Sequence, residues 1–363
     1  MIERIIVLGG KGGVGKSSIS AATAVLLSKL LPNKKILLIS FDMAHNLSDL
    51  LSQKIGNMIT PITSNLWTIE PDPNIYAEKY TKDLVNKMKA LMKQMPLVGM
   101  IPKIEEFFDT TFTSDSIPLA LKNAMFFQKI LDAEDITSQD IQFEIIIADF
   151  PPTANMITLF EIPEDQVKVV LKYSLNFYNS IKGTIRNFSK MFHQILKPFE
   201  DQEKRRELGK EIFNMIVDLE KPYINASSRV FFMFSNRIVD LEKRGERITE
   251  LIHSVGSLRL VSIAEKPSFE EVKRARDLTK KYINLDAVHI NMLTPDPKHC
   301  NFCKKMRQIQ LKFSGEIKKE FKNLKIWESD KLLEEPLGID GLRKLANEIY
   351  GDITADEILN PKS

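Results

Sequence analysis

The sequence predicts an α/β fold: a doubly wound, mainly parallel sheet carrying an inserted α-helical subdomain. Three observations predict it. Short runs rich in Ile, Val and Leu, apolar without alternation, recur between longer helical patterns, as strands buried on both faces require. A glycine-rich loop, "GGKGGVGKSS", joins the first of these runs to a helical pattern. Two long stretches, 72–140 and 164–257, break the rhythm with Met, Phe and Lys at helical spacing.

The elements follow in order. "RIIVLGG" (4–10), "KILLISF" (35–41), "FEIIIADF" (143–150), "LRLVSIAE" (258–265) and "AVHINML" (287–293) are the expected buried strands, and "LWTIEP" (66–71) and "LKIWES" (324–329) are weaker candidates. In the second helical stretch Val167, Val170, Leu171, Phe177, Ile181, Ile185, Phe188, Phe192, Ile195 and Phe199 keep to one stripe. The expected organisation is a core from 1–71, 141–163 and 258–350, a helical subdomain from 72–140 and 164–257, and a polar tail at 351–363 that frays.

Composition narrows the function. Lys and Arg total 51 against 48 acidic residues, a formal charge of +3, which is too balanced to argue for nucleic acid or an anionic membrane surface. No apolar run reaches 18 residues, so no spanning helix is expected. "MIERIIVLGG" leads straight into a strand with no room for a cleavable signal, so a soluble, cytoplasmic protein is expected. Two cysteines, Cys300 and Cys303, exclude a framework of several disulfides.

Gly10 through Ser17 match G-x-x-x-x-G-K-[ST] between a strand and a helix. Gly10, Gly12, Gly13 and Gly15 permit positive φ angles that turn backbone N–H groups toward phosphate oxygens, with Val14 and Ser18 completing the loop. Lys16 is placed to reach the β and γ phosphates, and the Ser17 hydroxyl to ligate Mg²⁺. The cofactors expected are ATP and Mg²⁺. Lys11, a second lysine inside the loop, is unexplained by that motif alone.

"GKGGVGKS" resembles the deviant phosphate loop of dimeric ATPases that include the Min-system and plasmid-partition ATPases, the nitrogenase iron protein, the arsenite-pump ATPase and the tail-anchored-protein targeting ATPases. The resemblance implies a homodimer in which Lys11 reaches the partner's nucleotide and stabilises charge during phosphoryl transfer, as an arginine finger does. A plain surface lysine is the alternative. Four more stretches resemble the targeting and arsenite-pump branch. "FDMAHNLSDLL" (41–51) is similar to T-D-P-A-H-N-L-S-D, which implies that Asp42 polarises the attacking water; a turn or cap aspartate is the alternative. "IIADFPPTANMITLFEIPE" (146–164) resembles D-T-A-P-T-G-H-T-L-R-x-L-x-L-P, placing Asp149 in the Mg²⁺ sphere. "SIPLALKNAMFFQKIL" (116–131) resembles the segment beginning I-P-G-I-D-E-A, with Pro118 lying 31 residues before Asp149. "INMLTPDPKHCNFCKKMRQIQLKF" (290–313) resembles the stretch from N-Q-L to C-x-x-C, implying that Asn291 hydrogen-bonds adenine; a turn-forming amide is the alternative.

The likeness covers most of 2–70, 116–165 and 258–350. This chain departs from it where Phe41 and Met43 replace Thr and Pro, Phe150 and Pro151 replace Thr and Ala, Ala154 and Asn155 replace Gly and His, and Leu121 and Lys122 replace an acidic pair. An alanine in place of the switch glycine narrows the backbone angles available as the loop moves, so slower or altered hydrolysis is expected of a divergent member.

C-x-x-C supplies two of the four ligands a tetrahedral zinc needs. The resemblance implies that Cys300 and Cys303 of two chains share one Zn²⁺ across a two-fold axis, with His299 as a substitute ligand, a redox dithiol or an unliganded pair as alternatives. It implies also that the helical subdomain binds cargo. Met88, Met92, Met95, Met100, Met125, Phe126 and Phe127 would supply an adaptable apolar surface for the transmembrane helix of a client, although any one of them suits the interior of a helical bundle. The expected function is thus an ATP-hydrolysing, homodimeric cytosolic factor that shields and delivers tail-anchored membrane proteins, with a membrane receptor as a further partner and no nucleic acid. The alternatives are a metalloid efflux-pump ATPase, a partition or positioning ATPase, and a holdase-like chaperone with weakened turnover.

Overall fold

The structure is a computed structural model that describes residues 2–41, 47–72, 141–151, 250–296 and 300–362, with single helical positions between 75 and 90. Its contacts divide the chain into two compact units. One comprises Met1–Pro73, Asn123–Glu161 and Arg244–Ser363, and the other Asn74–Lys122 and Ile162–Lys243.

In the first unit, β1 (Arg4–Gly10) runs into α1 (Lys16–Leu30), then β2 (Ile36–Ser40), the short α2 (Leu47–Leu51), β3 (Thr60–Pro61), β4 (Leu66–Ile69) and β5 (Ile145–Asp149). After the second excursion come β6 (Gly256–Ile263), α3 (Lys266–Thr279), β7 (Leu285–Leu293), α4 (Asn301–Glu320), β8 (Lys325–Asp330), α5 (Gly338–Tyr350) and α6 (Ala355–Leu359). The sheet order is β3-β4-β2-β5-β1-β6-β7-β8, parallel except for the β3–β4 pair. The α/β class with a mainly parallel sheet is therefore as the sequence predicts, and both weaker strand candidates form β4 and β8.

β1 lies between β5 and β6, and its side chains alternate between two cores. Ile5 and Val7 join Phe269, Val272 and Ala275 of α3 and Ile317 of α4 on one face. Ile6 and Leu8 join Ile19 of α1 and Leu342, Leu345 and Ile349 of α5 on the other. Both faces are covered, which explains why the strand reads as continuously apolar, each large aliphatic side chain contributing roughly 1.5–3 kcal/mol by burial. Ala21, Ala22 and Ala24 let α1 lie close to the sheet. α5 buries Leu342, Leu345, Ala346, Ile349 and Tyr350, the spacing of a single helical stripe.

The tail, expected to be polar and frayed, holds α6. Thr354 and Glu357 form a reciprocal capping box at its start, and Ile358 is buried. At its end the Leu359 carbonyl accepts from Arg4 Nε at 2.9 Å and the Ile358 carbonyl from Arg259 Nη2 at 2.5 Å. Asp286 stands between these guanidiniums, accepting from Arg4 Nη2 at 2.9 Å, Arg259 Nε at 3.2 Å and Ser257 Oγ at 2.6 Å.

In the second unit the described positions are Ile75, Glu78, Lys82, Asn86 and Ala90, all helical and exposed, with Lys82 and Glu78 paired at 2.6 Å. The methionine-rich surface and the Val167–Phe199 stripe lie outside the described residues, as do Pro118, Leu121, Lys122, Ala154 and Asn155.

Candidate active site

The loop after β1 is shaped by glycine. Gly10, Gly13 and Gly15 have φ of 149°, 79° and 88°, while Gly12 stays out of that region. A Cβ on Gly10 would lie 2.3 Å from the carbonyl oxygen of Val261 in β6, so no other residue fits. A Cβ on Gly13 would meet nothing within 4 Å, leaving an open cradle, and Gly15 in the left-handed conformation caps the start of α1. Lys16 is buried, and its Nζ donates to the carbonyl of Lys11 at 3.4 Å. Lys11 itself is exposed.

Asp149, at the carboxyl end of β5, is fully buried. Its Oδ2 accepts from Ser17 Oγ at 2.6 Å and from Ser40 Oγ at 3.2 Å. The parallel sheet thus brings a carboxylate and a hydroxyl, 132 residues apart, to the mouth of the loop. Hard oxygen donors beside a phosphate cradle suit Mg²⁺. Ser40 was not anticipated as the third member, although its place at the end of the apolar run "ILLIS" is the same strand-end position that marks Asp149.

Asn291 is buried on the far side of the loop. Its Nδ2 donates to the Val14 carbonyl at 2.9 Å, and its Oδ1 accepts from Ser329 Oγ at 2.8 Å. A β-bulge-type register shift between Ile290 and Leu293 and a left-handed Met292, φ 58°, set this arrangement. α4 supports it: Gln310 Oε1 accepts from the Thr294 N–H at 2.7 Å, and Arg307 donates to the Thr294 carbonyl.

A cavity of about 410 Å³ opens here, within the size range of small-molecule sites. Gly13, Gly15, Lys16, Ser17 and Ser18 form one side, Asp49 and Leu50 of α2 another, and Met292, Glu335, Pro336 and Leu337 the rest. The residues after β8 carried no distinctive signal in the sequence, whereas Asp49 and Leu50 fall within the "FDMAHNLSDLL" stretch. Asp42 lies outside the described residues.

Two of the departures from the expected switch patterns meet. Phe41 follows β2 and Phe150 follows β5; both are buried, and their rings pack edge to face with centroids 5.3 Å apart. The Phe41 N–H donates to the Asp149 carbonyl at 2.8 Å and the Phe150 N–H to the Leu8 carbonyl at 3.0 Å. The two aromatic replacements therefore fill one another's space next to the loop.

The model of the anion-transporting ATPase family matches residues 3–236 and 206–351. The chain belongs to this family. Its relatives include a putative arsenical pump-driving ATPase of Prosthecochloris vibrioformis, 26% identical over 98% of this chain and 77% of that protein. An ATPase GET3 of Clavispora lusitaniae is 26% identical over 94% of this chain and 88% of that protein. A third, ATPase GET3 of Debaryomyces hansenii, reaches 35% identity over 46% of this chain and 48% of its own length. The protein is an ATPase.

The cysteine pair stands at the start of α4. Cys300 is the N-cap, and its Sγ accepts from the Cys303 N–H at 3.3 Å. A hydrogen bond from the Cys303 thiol, reinforced by that N–H, holds the Cys300 thiol below its ordinary pKa, while the same contact pushes Cys303 up. Among the described residues no three His, Cys, Asp or Glu side chains gather as a metal group, and His299 lies outside them. One chain therefore offers two thiols, a donor set chemically suited to zinc but half of a tetrahedral shell.

Proposed function

We propose that this ATPase is a cytosolic homodimer that shields the transmembrane helix of tail-anchored membrane proteins and delivers it to a membrane receptor. The observation that carries the reading is similarity to ATPase GET3 along nearly the whole of both chains, joined to a phosphate loop with a second lysine and to the "AHNLSD" segment. Lys16 and the loop N–H groups bind the phosphates, and Ser17 and Asp149 hold Mg²⁺. The ion supplies charge neutralisation to the phosphate oxygens when bound. Asp42 orients and polarises water, and Lys11 reaches the partner's nucleotide. Cys300 and Cys303 of both protomers supply four thiolates to one zinc. The helical unit, with its Met88–Met100 cluster, takes the client helix.

A second reading, an ATPase subunit that drives a metalloid pump, is favoured by the name of the Prosthecochloris relative, a putative arsenical pump-driving ATPase. Against it, the chain has two cysteines and no third thiol to gather around a metalloid.

Co-expression with a model protein bearing one C-terminal transmembrane helix tests the choice. A soluble complex that requires the helix, with turnover lost in Asp42→Asn, is expected. Failure to recover a complex from an intact, nucleotide-bound dimer overturns the cargo reading, and turnover stimulated by arsenite would replace it with the pump.

A further inference from the structure

The pocket-lining helix α2 is held by a residue far from it in sequence. Glu70, one position beyond β4, is only 2% exposed. Its Oε1 accepts from the Leu47 N–H at 2.7 Å, and its Oε2 from Ser48 Oγ at 3.4 Å. These are the first two residues of α2, and the next two, Asp49 and Leu50, line the nucleotide cavity. The carboxylate thus bonds the first turn of a helix whose Asp49 and Leu50 line the cavity.

The same short segment is bonded in a second direction. The Glu70 N–H donates to the Gly56 carbonyl at 3.0 Å, and the Asp72 N–H to Asn57 Oδ1 at 2.7 Å. One residue further, at Pro73, the chain leaves the first unit, and the second unit begins at Asn74. Residues 70–72 are therefore tied at once to the first turn of the pocket helix and to the loop that follows that helix. Burying a carboxylate costs several kcal/mol unless donors satisfy it, so a plain strand end would be more stable with an apolar residue. Both Glu70 oxygens accept from the first turn of α2, where the carboxylate has a structural use.

We propose that Glu70 is a positioning residue that couples occupancy of the ATP pocket to the connection entering the second unit. Nucleotide contacts Asp49 and Leu50, α2 shifts or stiffens with them, and the Glu70 carboxylate carries that change into residues 70–72. A ligand can bias this connection only through contacts that differ between bound and free states, and α2 supplies such contacts. The proposal rests on ATP binding at the glycine loop.

Hydrogen exchange on the full chain, with and without a non-hydrolysable ATP analogue and Mg²⁺, tests it. In the wild type, protection is expected to rise at 10–18, at 47–51 and at the amides of Glu70 and Asp72. In Glu70→Ala, protection at 10–18 persists while the response at Asp72 falls at least about five-fold. Glu70→Gln, which keeps an oxygen for the Leu47 N–H, restores at least half of it. Asn57→Ala, which leaves the buried carboxylate intact, removes the Asp72 response alone and serves if Glu70→Ala does not fold. A wild-type Asp72 amide indifferent to nucleotide, or a response unchanged in Glu70→Ala or in Asn57→Ala, overturns the coupling. Absence of protection at 10–18 in the wild type would instead overturn nucleotide binding at the loop, and the coupling with it.

Discussion

Asn291 Nδ2 donates to the carbonyl of Val14 at 2.9 Å, so a side chain at the end of β7 forms the back wall of the phosphate loop. The resemblance assigns that amide to adenine, and the two roles make different predictions. A tie of this kind contributes about 1 kcal/mol, so Asn291→Ala should weaken ATP binding roughly five-fold. If the loop tie dominates, binding of inorganic tripolyphosphate weakens by the same factor, and Ser329→Ala has a smaller effect in the same direction. Calorimetry on both ligands checks this; loss confined to ATP would return the amide to the base.

Asp149 and Ser17 should act as one unit toward Mg²⁺. Removing either donor costs transition-state stabilisation of about 3 kcal/mol, roughly 100-fold in turnover. Asp149→Asn and Ser17→Ala are expected to lower kcat by that order and to raise the Mg²⁺ concentration giving half-maximal rate. The double variant should be little worse than either single one, because the 2.6 Å bond joins them.

Phe41 and Phe150 should be energetically coupled. Each truncation to Thr removes a buried ring and is expected to cost about 3 kcal/mol. The double variant should cost less than the sum by about 1 kcal/mol, the interaction worth of an edge-to-face pair. Denaturant titrations of the four proteins give the cycle, and strict additivity would show that the rings do not support one another.

Asp286 neutralises two guanidiniums at the carboxyl end of α6. Arg259 is fully buried, so Asp286→Ala leaves an uncompensated internal charge and should lower stability by about 3–5 kcal/mol. Deleting residues 355–363 removes the carbonyls that Arg4 and Arg259 also bond, and should destabilise the same unit while leaving Asp286 in place. Thermal denaturation distinguishes the two by size.

His289 is buried against Trp327 and Tyr350, with neither ring nitrogen hydrogen-bonded among the described residues. Burial, with the Arg259 charge second, brings its pKa from 6.5 down to about 3. The unfolded chain therefore binds a proton that the folded chain does not between these values, and stability falls as pH drops from 6.5 toward 3. The slope is about 1.4 kcal/mol per pH unit at its steepest. His289→Phe should flatten that limb and, by removing two unbonded nitrogens, leave stability at pH 7 unchanged or higher.

The glycine loop and its strands were legible because their signals are local: a run of buried aliphatics, glycines at fixed offsets, a lysine and a serine. Asp149 was legible for the same reason, as an acid ending an apolar run. Asn291 was placed at the site, but its bonding to Val14 spans 277 residues and depends on a left-handed Met292 that β-branch and turn patterns do not announce. Glu70 was invisible as a functional residue, because a buried acid in "LWTIEP" reads like any acid at a strand end. The two-residue β3, with a proline at the sheet edge, is too short for periodicity to detect. The tail misled because its composition is polar: the T-x-x-E capping box of Thr354 and Glu357 was overlooked, and the carbonyl bonds to Arg4 and Arg259 that hold its end are encoded by no local pattern.

β1 lies between β5 and β6, strands that begin at Ile145 and Gly256. During synthesis the loop therefore emerges from the ribosome long before either flanking strand exists, and Gly10 gains the Val261 carbonyl that fixes it only after some 250 further residues. Such late, non-local closure makes assembly slow relative to local folding. A nascent chain thus carries the whole phosphate motif without its supporting walls, and the capacity to grip nucleotide marks completion of the molecule. Added ATP should accordingly act as a late trap in refolding, raising the yield of finished protein without hastening its first steps.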